Sequence, residues 1–365
     1  MPTADELLNA AAVRSLKACL ARADNGRRWP AVGRSAAAFD EQGLGERVGA
    51  VREALLEDLP GSYSASARIV KRALRDEAFT GWMIWPMTEA IAVRALASSR
   101  EADFEAGLEM LAALTGRLTS EFALRLFLDA DLDRTLQTVV DWTDHDDEHV
   151  RRLASEGTRP RLPWAKRVPA LLQRPSATLP ILDALCRDQS EYVRRSVANH
   201  LNDISYIDPS LAVEAAARWL QPGGTDATRL VKRALRTLVK KGDAEALALL
   251  GFSPPREVTV DGPRLRTATV AVGDRLGFEV EIANLDSAPQ NLAIDYVIHH
   301  RKANGSLSPK VFKLTTRKLG PGERTSVVRE HSFKQISTRR YHAGPHAIEL
   351  QLNGVRYGWA DFDLI

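Results

Sequence analysis

Glu148-His149-Val150-Arg151-Arg152-Leu153-Ala154 returns 43 positions later as Glu191-Tyr192-Val193-Arg194-Arg195-Ser196-Val197. The third copy, Leu230-Val231-Lys232-Arg233-Ala234-Leu235, follows 38 residues further on, and Ile69-Val70-Lys71-Arg72-Ala73-Leu74 is a weaker early one. A period of about 40 residues marks stacked units, each burying its apolar face against its neighbours. Every unit reads as a first helix, an acidic turn and a second helix. Asp144-His145-Asp146-Asp147 and Asp188-Gln189-Ser190 are two such turns. The Val of each second helix faces the core, and the two basic residues after it are expected to project from the inner face.

The same pattern extends outward. Apolar residues recur at helical spacing in Val48-Val51-Leu55-Leu56 and Leu132-Leu136-Val139-Val140. Breaks such as Leu59-Pro60-Gly61 and Gln221-Pro222-Gly223-Gly224 separate the helices, and Trp219 and Leu220 end the one before the second break. Residues 1–252 are therefore expected to form an all-α, HEAT-like repeat solenoid. Ser253-Pro254-Pro255 cannot continue a helix, so residues 253–256 read as a linker. Over residues 257–365 the period falls to two. Seven strands are expected, at 267–272, 275–285, 291–300, 311–319, 325–333, 346–352 and 355–364. Gly273-Asp274, Ala303-Asn304-Gly305-Ser306, Pro321-Gly322 and Asn353-Gly354 supply turns. The whole is a multidomain chain, a solenoid followed by an all-β immunoglobulin-like sandwich without a disulfide.

The net charge of +3 conceals an asymmetry. Residues 1–147 carry −7, residues 148–241 carry +8, residues 242–255 carry −2 and residues 256–365 carry +4. A basic middle segment beside an acidic one fits a polyanion-binding face. In register, Arg151/Arg152, Arg194/Arg195 and Lys232/Arg233 would make a ladder able to follow a phosphate backbone. The same ladder is open to a second reading, a protein-binding scaffold whose arginines grip the acidic turn of a neighbouring unit. No apolar run is long enough to span a membrane. The start, Met1-Pro2-Thr3-Ala4-Asp5-Glu6, lacks the pattern of a secretory signal. The expected location is cytoplasmic, associated with the nucleoid when on DNA, and the expected state is monomeric. Cys19 and Cys186 show no ligand spacing, His145, His149 and His200 are scattered, and Gly45 and Gly107 cradle no phosphate. No metal or cofactor is expected, and His149 and His200 read as helix-surface residues.

Acids interrupt the basic ladder. Glu156 follows Arg152 by one helical turn, Asp203 follows Arg195 by two turns, and Asn199 lies between them. Glu156 and Asn199 occupy equivalent places in adjacent repeats. A carboxylate beside a bound polyanion is unfavourable unless the group it faces is cationic; an ordinary salt bridge along the helix is the plain alternative. Trp164 sits in a basic loop, Arg159-Pro160-Arg161-Leu162-Pro163, open either to DNA or to packing. Trp82 and Trp85, among Met83, Ile84 and Met87, read as core.

Residues 152–164, Arg152-Leu153-Ala154-Ser155-Glu156-Gly157-Thr158-Arg159-Pro160-Arg161-Leu162-Pro163-Trp164, resemble the signature stretch of the AlkC family of alkylpurine DNA glycosylases. Two further stretches match it, Gly81-Trp82-Met83-Ile84-Trp85-Pro86-Met87-Thr88-Glu89 and Ser196-Val197-Ala198-Asn199-His200-Leu201-Asn202-Asp203-Ile204. With residues 119–144 they span most of 80–240; residues 1–75 match less distinctively. The resemblance implies a monofunctional glycosylase that releases N3-methylated bases, 3-methyladenine and 3-methylcytosine, from duplex DNA without fully extruding them. It implies catalytic carboxylates at Glu121, Glu156 and Asp203. Glu121 rests on the resemblance alone, because it begins its helix while Glu156 ends its own. Arg152, Arg159, Arg161, Trp164, Arg194, Arg195, Asn199, Lys232 and Arg233 are the expected DNA contacts. The competing functions are a non-catalytic DNA-binding relative and a protein scaffold.

Overall fold

A computed structural model describes residues 3–221, 224–336 and 339–365. Pro222 and Gly223, in the expected break after Leu220, lie outside the described residues. The chain divides into two compact units, Met1–Ala234 and Leu235–Ile365.

The first unit is helical throughout its described residues. Helix pairs succeed one another through Glu121–Ala130 and Leu132–Asp141, Glu148–Gly157 and Leu179–Leu185, Glu191–Ile204 and Pro209–Trp219, to Thr225–Ala234. The turns are set by side-chain caps. Asp147 accepts from His149 N at 2.8 Å, and Asp188 Oδ1 accepts from Ser190 N at 2.8 Å. Val150, Val193 and Val231 are buried, as their place in the repeat requires. Val48, Val51, Leu55, Leu132, Leu136 and Val139 are buried too, but Val140 is exposed, one residue past the apolar stripe near the end of its helix.

The arginine pairs do not act alike. Arg151 turns into the repeat interface instead of projecting. Its Nε and Nη2 meet the two Asp188 carboxylate oxygens at 2.6 and 3.2 Å, and Nη1 donates to the His145 and Asp146 carbonyls at 2.8 Å. Arg194 repeats this one unit on, donating to the Asp188 and Gln189 carbonyls at 2.6 and 3.0 Å and facing Asp226 at 3.7 Å. The orphan carbonyls of each turn need donors, and a guanidinium carries five. Arg195 and Lys232, the second of one pair and the first of another, are exposed.

The second unit opens with two short helices, Arg236–Lys241 and Ala244–Leu249, which bury Leu238 and Leu247. They sit with the strands because Gly242 abuts Gly354: a Cβ on Gly242 would lie 2.8 Å from the Gly354 Cα. The last helix ends at Leu249 and the first strand begins at Val258. The strands are β1 Val258–Leu265, β2 Thr269–Val270, β3 Arg275–Asn284, β4 Gln290–Arg301, β5 Leu307–Leu319, β6 Arg324–Ser332, β7 Gly344–Leu352 and β8 Val355–Leu364. They form two sheets, β1-β3-β6 and β2-β8-β7-β4-β5, closed over Phe278, Phe333, Ile294 and Ile348. The described strands number eight, not seven. The unexpected one is β1, whose alternation Asp261-Gly262-Pro263-Arg264 breaks; the pairing with β3 shifts register there. β5 also starts earlier than expected, running through Pro309, which an edge strand tolerates. Among the described residues no helix is long and apolar enough to cross a membrane.

Candidate active site

Helix Glu148–Gly157 ends against the start of helix Glu121–Ala130 because its last residue is Gly157. A Cβ on Gly157 would lie 2.5 Å from Leu124 Cδ2. This close approach puts Glu156, at the end of one helix, near Glu121, at the start of the other. Arg152 spans the gap. Its Nη1 lies 2.7 Å from Glu121 Oε2 and its Nη2 3.7 Å from Glu156 Oε1. Beyond Glu156, Arg159 takes over: Nη1 is 2.6 Å from Glu156 Oε1, while Nε and Nη2 meet Asp203 Oδ2 and Oδ1 at 2.8 and 3.2 Å. The result is one chain of alternating charge, Glu121–Arg152–Glu156–Arg159–Asp203, drawn from three helices and the loop after residue 157.

Neutral groups hold the chain in place. Thr119 Oγ1 donates to Glu121 Oε2 at 2.9 Å, and Ser196 Oγ to Glu156 Oε2 at 2.7 Å. The Arg152 guanidinium lies 5.3 Å from the Tyr192 ring centroid. His200 is fully buried rather than on a helix surface. It bridges Thr178 Oγ1 at 3.0 Å and the Ser155 carbonyl at 2.8 Å. Nδ1 therefore donates to the carbonyl, and in a neutral ring Nε2 accepts from Thr178 Oγ1. Burial pushes its pKa down to about 3, consistent with that state.

The electrostatics are those of a buried anionic site. Glu121, Glu156, Asp203 and Arg159 are each less than a tenth exposed. Burial raises the Glu121 pKa against the pull of Arg152, and raises that of Asp203 against the hydrogen bonds from Arg159. Burial works against the charges of Arg152 and Arg159 as well, but the carboxylates around them more than offset it, and both guanidiniums are held charged more firmly than usual. With every group ionised, three carboxylates face two guanidiniums. The salt bridges of this cluster leave one carboxylate charge in excess among the described residues, which favours a bound cation.

The other expected contacts are dispersed. Arg161 is exposed, with its guanidinium 4.2 Å from the Tyr206 ring centroid. Trp164 is 60% exposed, with left-handed φ of 64°. Asn199 is half-buried on the helix that carries Asp203. Arg195, Lys232 and Arg233 are exposed. Trp85 is buried, as expected, while Trp82 is half-buried. The sequence assigns no role to Thr119, Ser196 or Tyr206, and it places His200 on a helix surface. Only Ser196 carried a signal: it stands where the preceding repeat has Leu153, a polar residue at a core position.

Three similarities bear on this arrangement. Residues 259–365 match the family described as the C-terminal Ig-like domain of the uncharacterised protein YhaZ. The uncharacterised protein YhaZ of Bacillus subtilis is 37% identical over 329 residues, covering 89% of this chain and 88% of its own. The structure of the Pseudomonas fluorescens alkylpurine DNA glycosylase AlkC, bound to DNA containing an abasic site analog, superposes over 100% of both chains with a TM-score of 0.89 and 31% identity. The chain belongs to the AlkC family, in the branch that carries a C-terminal immunoglobulin-like domain.

Proposed function

We propose that this chain is a monofunctional DNA-repair glycosylase that hydrolyses the N-glycosidic bond of cationic N3-methylated bases, 3-methyladenine and 3-methylcytosine, in duplex DNA. The observation that carries the reading is the buried chain of three carboxylates bridged by only two arginines. A methylated base bears a positive charge that such a site attracts, whereas a normal neutral base gains nothing from it.

The charge moves during the reaction. As the bond breaks, its electron pair leaves with the base, which becomes neutral, and positive charge develops on the deoxyribose. A preorganised carboxylate opposes that charge at no reorganisation cost. Water then bonds to C1′ of the sugar and loses a proton to a carboxylate. Glu121, Glu156 and Asp203 share these tasks, and Arg152 and Arg159 fix their positions. No amine nucleophile or lyase step is required. The bond is cleaved without full extrusion of the base, in keeping with the concave form of a repeat solenoid.

Affinity for the duplex comes from elsewhere. Arg161, Arg195, Lys232 and Arg233 contact phosphate, and Asn199 and Trp164 lie along the DNA path, while Arg194 supports the surface through its acidic turn. The basic sandwich, with Arg301, Lys302, Lys310 and Arg339, grips the duplex and adds no chemistry. The direct test is incubation with randomly methylated duplex DNA, followed by chromatography of released bases. Release of 3-methyladenine is the expected result. Binding without release of any base would make the chain a non-catalytic DNA binder.

A further inference from the structure

A cleft in the helical unit carries features that neither the fold nor the carboxylate chain uses. Part of its lining is the face of helix Leu44–Asp58 that bears Gly45 and Gly49; a Cβ built on either glycine meets nothing within 4 Å. Phe122, Arg125 and Trp164 also line it. Four rings run in series here. Phe122 stacks on Trp85 at 3.9 Å and 16°, Trp85 lies 6.2 Å from Trp82, and Trp82 6.4 Å from Trp164. Trp164 ends the series with its indole 60% exposed and its backbone at φ 64°. A bulky residue is strained in that conformation, and here most of its ring stays exposed.

Arg125 is the second observation. Its side chain is 5% exposed; Nε donates to the Lys166 carbonyl at 2.7 Å and Nη1 to the Arg159 carbonyl at 2.9 Å. Nη2 is buried and has no acceptor among the described residues. A buried donor left unmet costs about 1–3 kcal/mol. An acceptor brought in by a ligand would remove that cost. Burial, with Arg167 and Arg159 nearby, lowers the Arg125 pKa to about 10, which leaves it cationic at neutral pH.

We propose that this cleft binds a neutral, planar heteroaromatic ring with a hydrogen-bond acceptor on its edge, a nucleobase, which stacks against the aromatic series and accepts from Arg125. The slot beside Gly45 and Gly49 gives a flat ring room that any larger side chain there would fill. Arg52, Arg125, Lys166 and Arg167 outnumber Glu89 and Asp129 along the lining, so the cleft disfavours a cationic ring and sorts bases by charge in the opposite sense to the carboxylate chain. The ring comes either from a free nucleoside or from an unstacked base of DNA.

Two titrations separate these sources. In the first, tryptophan fluorescence of the full chain is followed with adenosine and with cationic 1-methyladenosine. In the second, the chain is added to an undamaged duplex carrying 2-aminopurine, whose emission rises when it unstacks. Gly49→Leu fills the slot from a position with open space around it, and Trp164→Ala removes the exposed ring. A saturable adenosine response, at least tenfold weaker in both variants, assigns a free nucleoside. A 2-aminopurine rise that Gly49→Leu abolishes assigns a DNA base. Absence of both responses, or responses unchanged in both variants, overturns the proposal, and so does 1-methyladenosine binding as tightly as adenosine. The adenosine titration involves no excision, so its result stands apart from whether the chain releases methylated bases.

Discussion

Asp203 and Glu156 share a single guanidinium, that of Arg159, so neither carboxylate can be changed in isolation. Asp203→Asn and Glu156→Gln keep shape and remove charge. Each should slow single-turnover release of 3-methyladenine by on the order of a hundredfold, because the lost interaction is stronger with the developing sugar charge than with the bound base. DNA affinity should hold or rise slightly, since an anion near phosphates has gone. Near-normal release by both variants would sink the carboxylate mechanism. The pH profile follows from the same groups. Burial holds the pKa of Glu121 above its ordinary 4.5, and that of Asp203 above 3.8. If the ionised forms are required, the release rate falls as pH drops through these raised values. The acid limb should therefore lie above the range of an exposed carboxylate. Rate measurements from pH 4 to pH 8 on the unsubstituted chain and on Glu121→Gln test this; an identical limb in both would dissociate Glu121 from the titration.

At the level of helices and sheets, two contacts decide more than their size suggests. Gly157→Ala would force a methyl to within 2.5 Å of Leu124 Cδ2, parting the helices that carry Glu121 and Glu156. Overpacking of this kind costs about 1–3 kcal/mol. Excision should fall further than DNA binding, because the carboxylate geometry is disturbed while the exposed basic residues are not. Chemical denaturation alongside both assays would expose the opposite ranking. The arginine pairs divide in the same way. Arg195→Ala should lower affinity for damaged and undamaged DNA alike and reduce the salt slope by about one. Arg194→Ala should instead lower thermal stability, since it strips donors from the Asp188 and Gln189 carbonyls. Equal losses of affinity with no loss of stability would restore Arg194 to the phosphate ladder.

For the molecule as a whole, acid lability is expected from buried histidines in both units. His200, His300, His331 and His346 all have depressed pKa values, with burial as the leading cause, and the first three reach about 3, 3 and 4. The unfolded chain binds these protons near pH 6.5, whereas the folded chain resists until its depressed values. Stability is thus fully present above pH 6.5 and is lost as pH falls below it. For fully buried His200 the slope is about 1.4 kcal/mol per pH unit in that window. Denaturant midpoints measured at pH 7.5 and pH 5.5 should differ accordingly, and His346→Phe, which keeps a ring beside Phe362 and Phe333, should flatten the slope of the second unit. Truncation after Ala234 should weaken DNA binding and excision together if the sandwich grips the duplex. A folded, fully active truncation would make the sandwich a passive appendage.

The architecture can be read from the sequence, because local periodicity is enough for it. The Val-Arg-Arg repeat set the helical pairs and the acidic turns between them, and the change to period two set the sandwich. It missed β1, where Gly262-Pro263 interrupts the alternation that makes a strand legible, although the partner β3 tolerates the shift. Glu156 and Asp203 were also legible as acids on the arginine-bearing faces of successive repeats, because helical spacing places them there. How those acids meet depends on the packing of helices distant in sequence. The 35 residues from Glu121 to Glu156 are spanned by Arg152 only because Gly157 lets two helices close on one another. The same holds for the roles within each arginine pair: identical in sequence, Arg151 and Arg152 differ by one residue's rotation about the helix. One faces the turn of the next repeat and the other the carboxylates. Burial and partner are properties of the surroundings in space, and a side chain's charge takes its function from them.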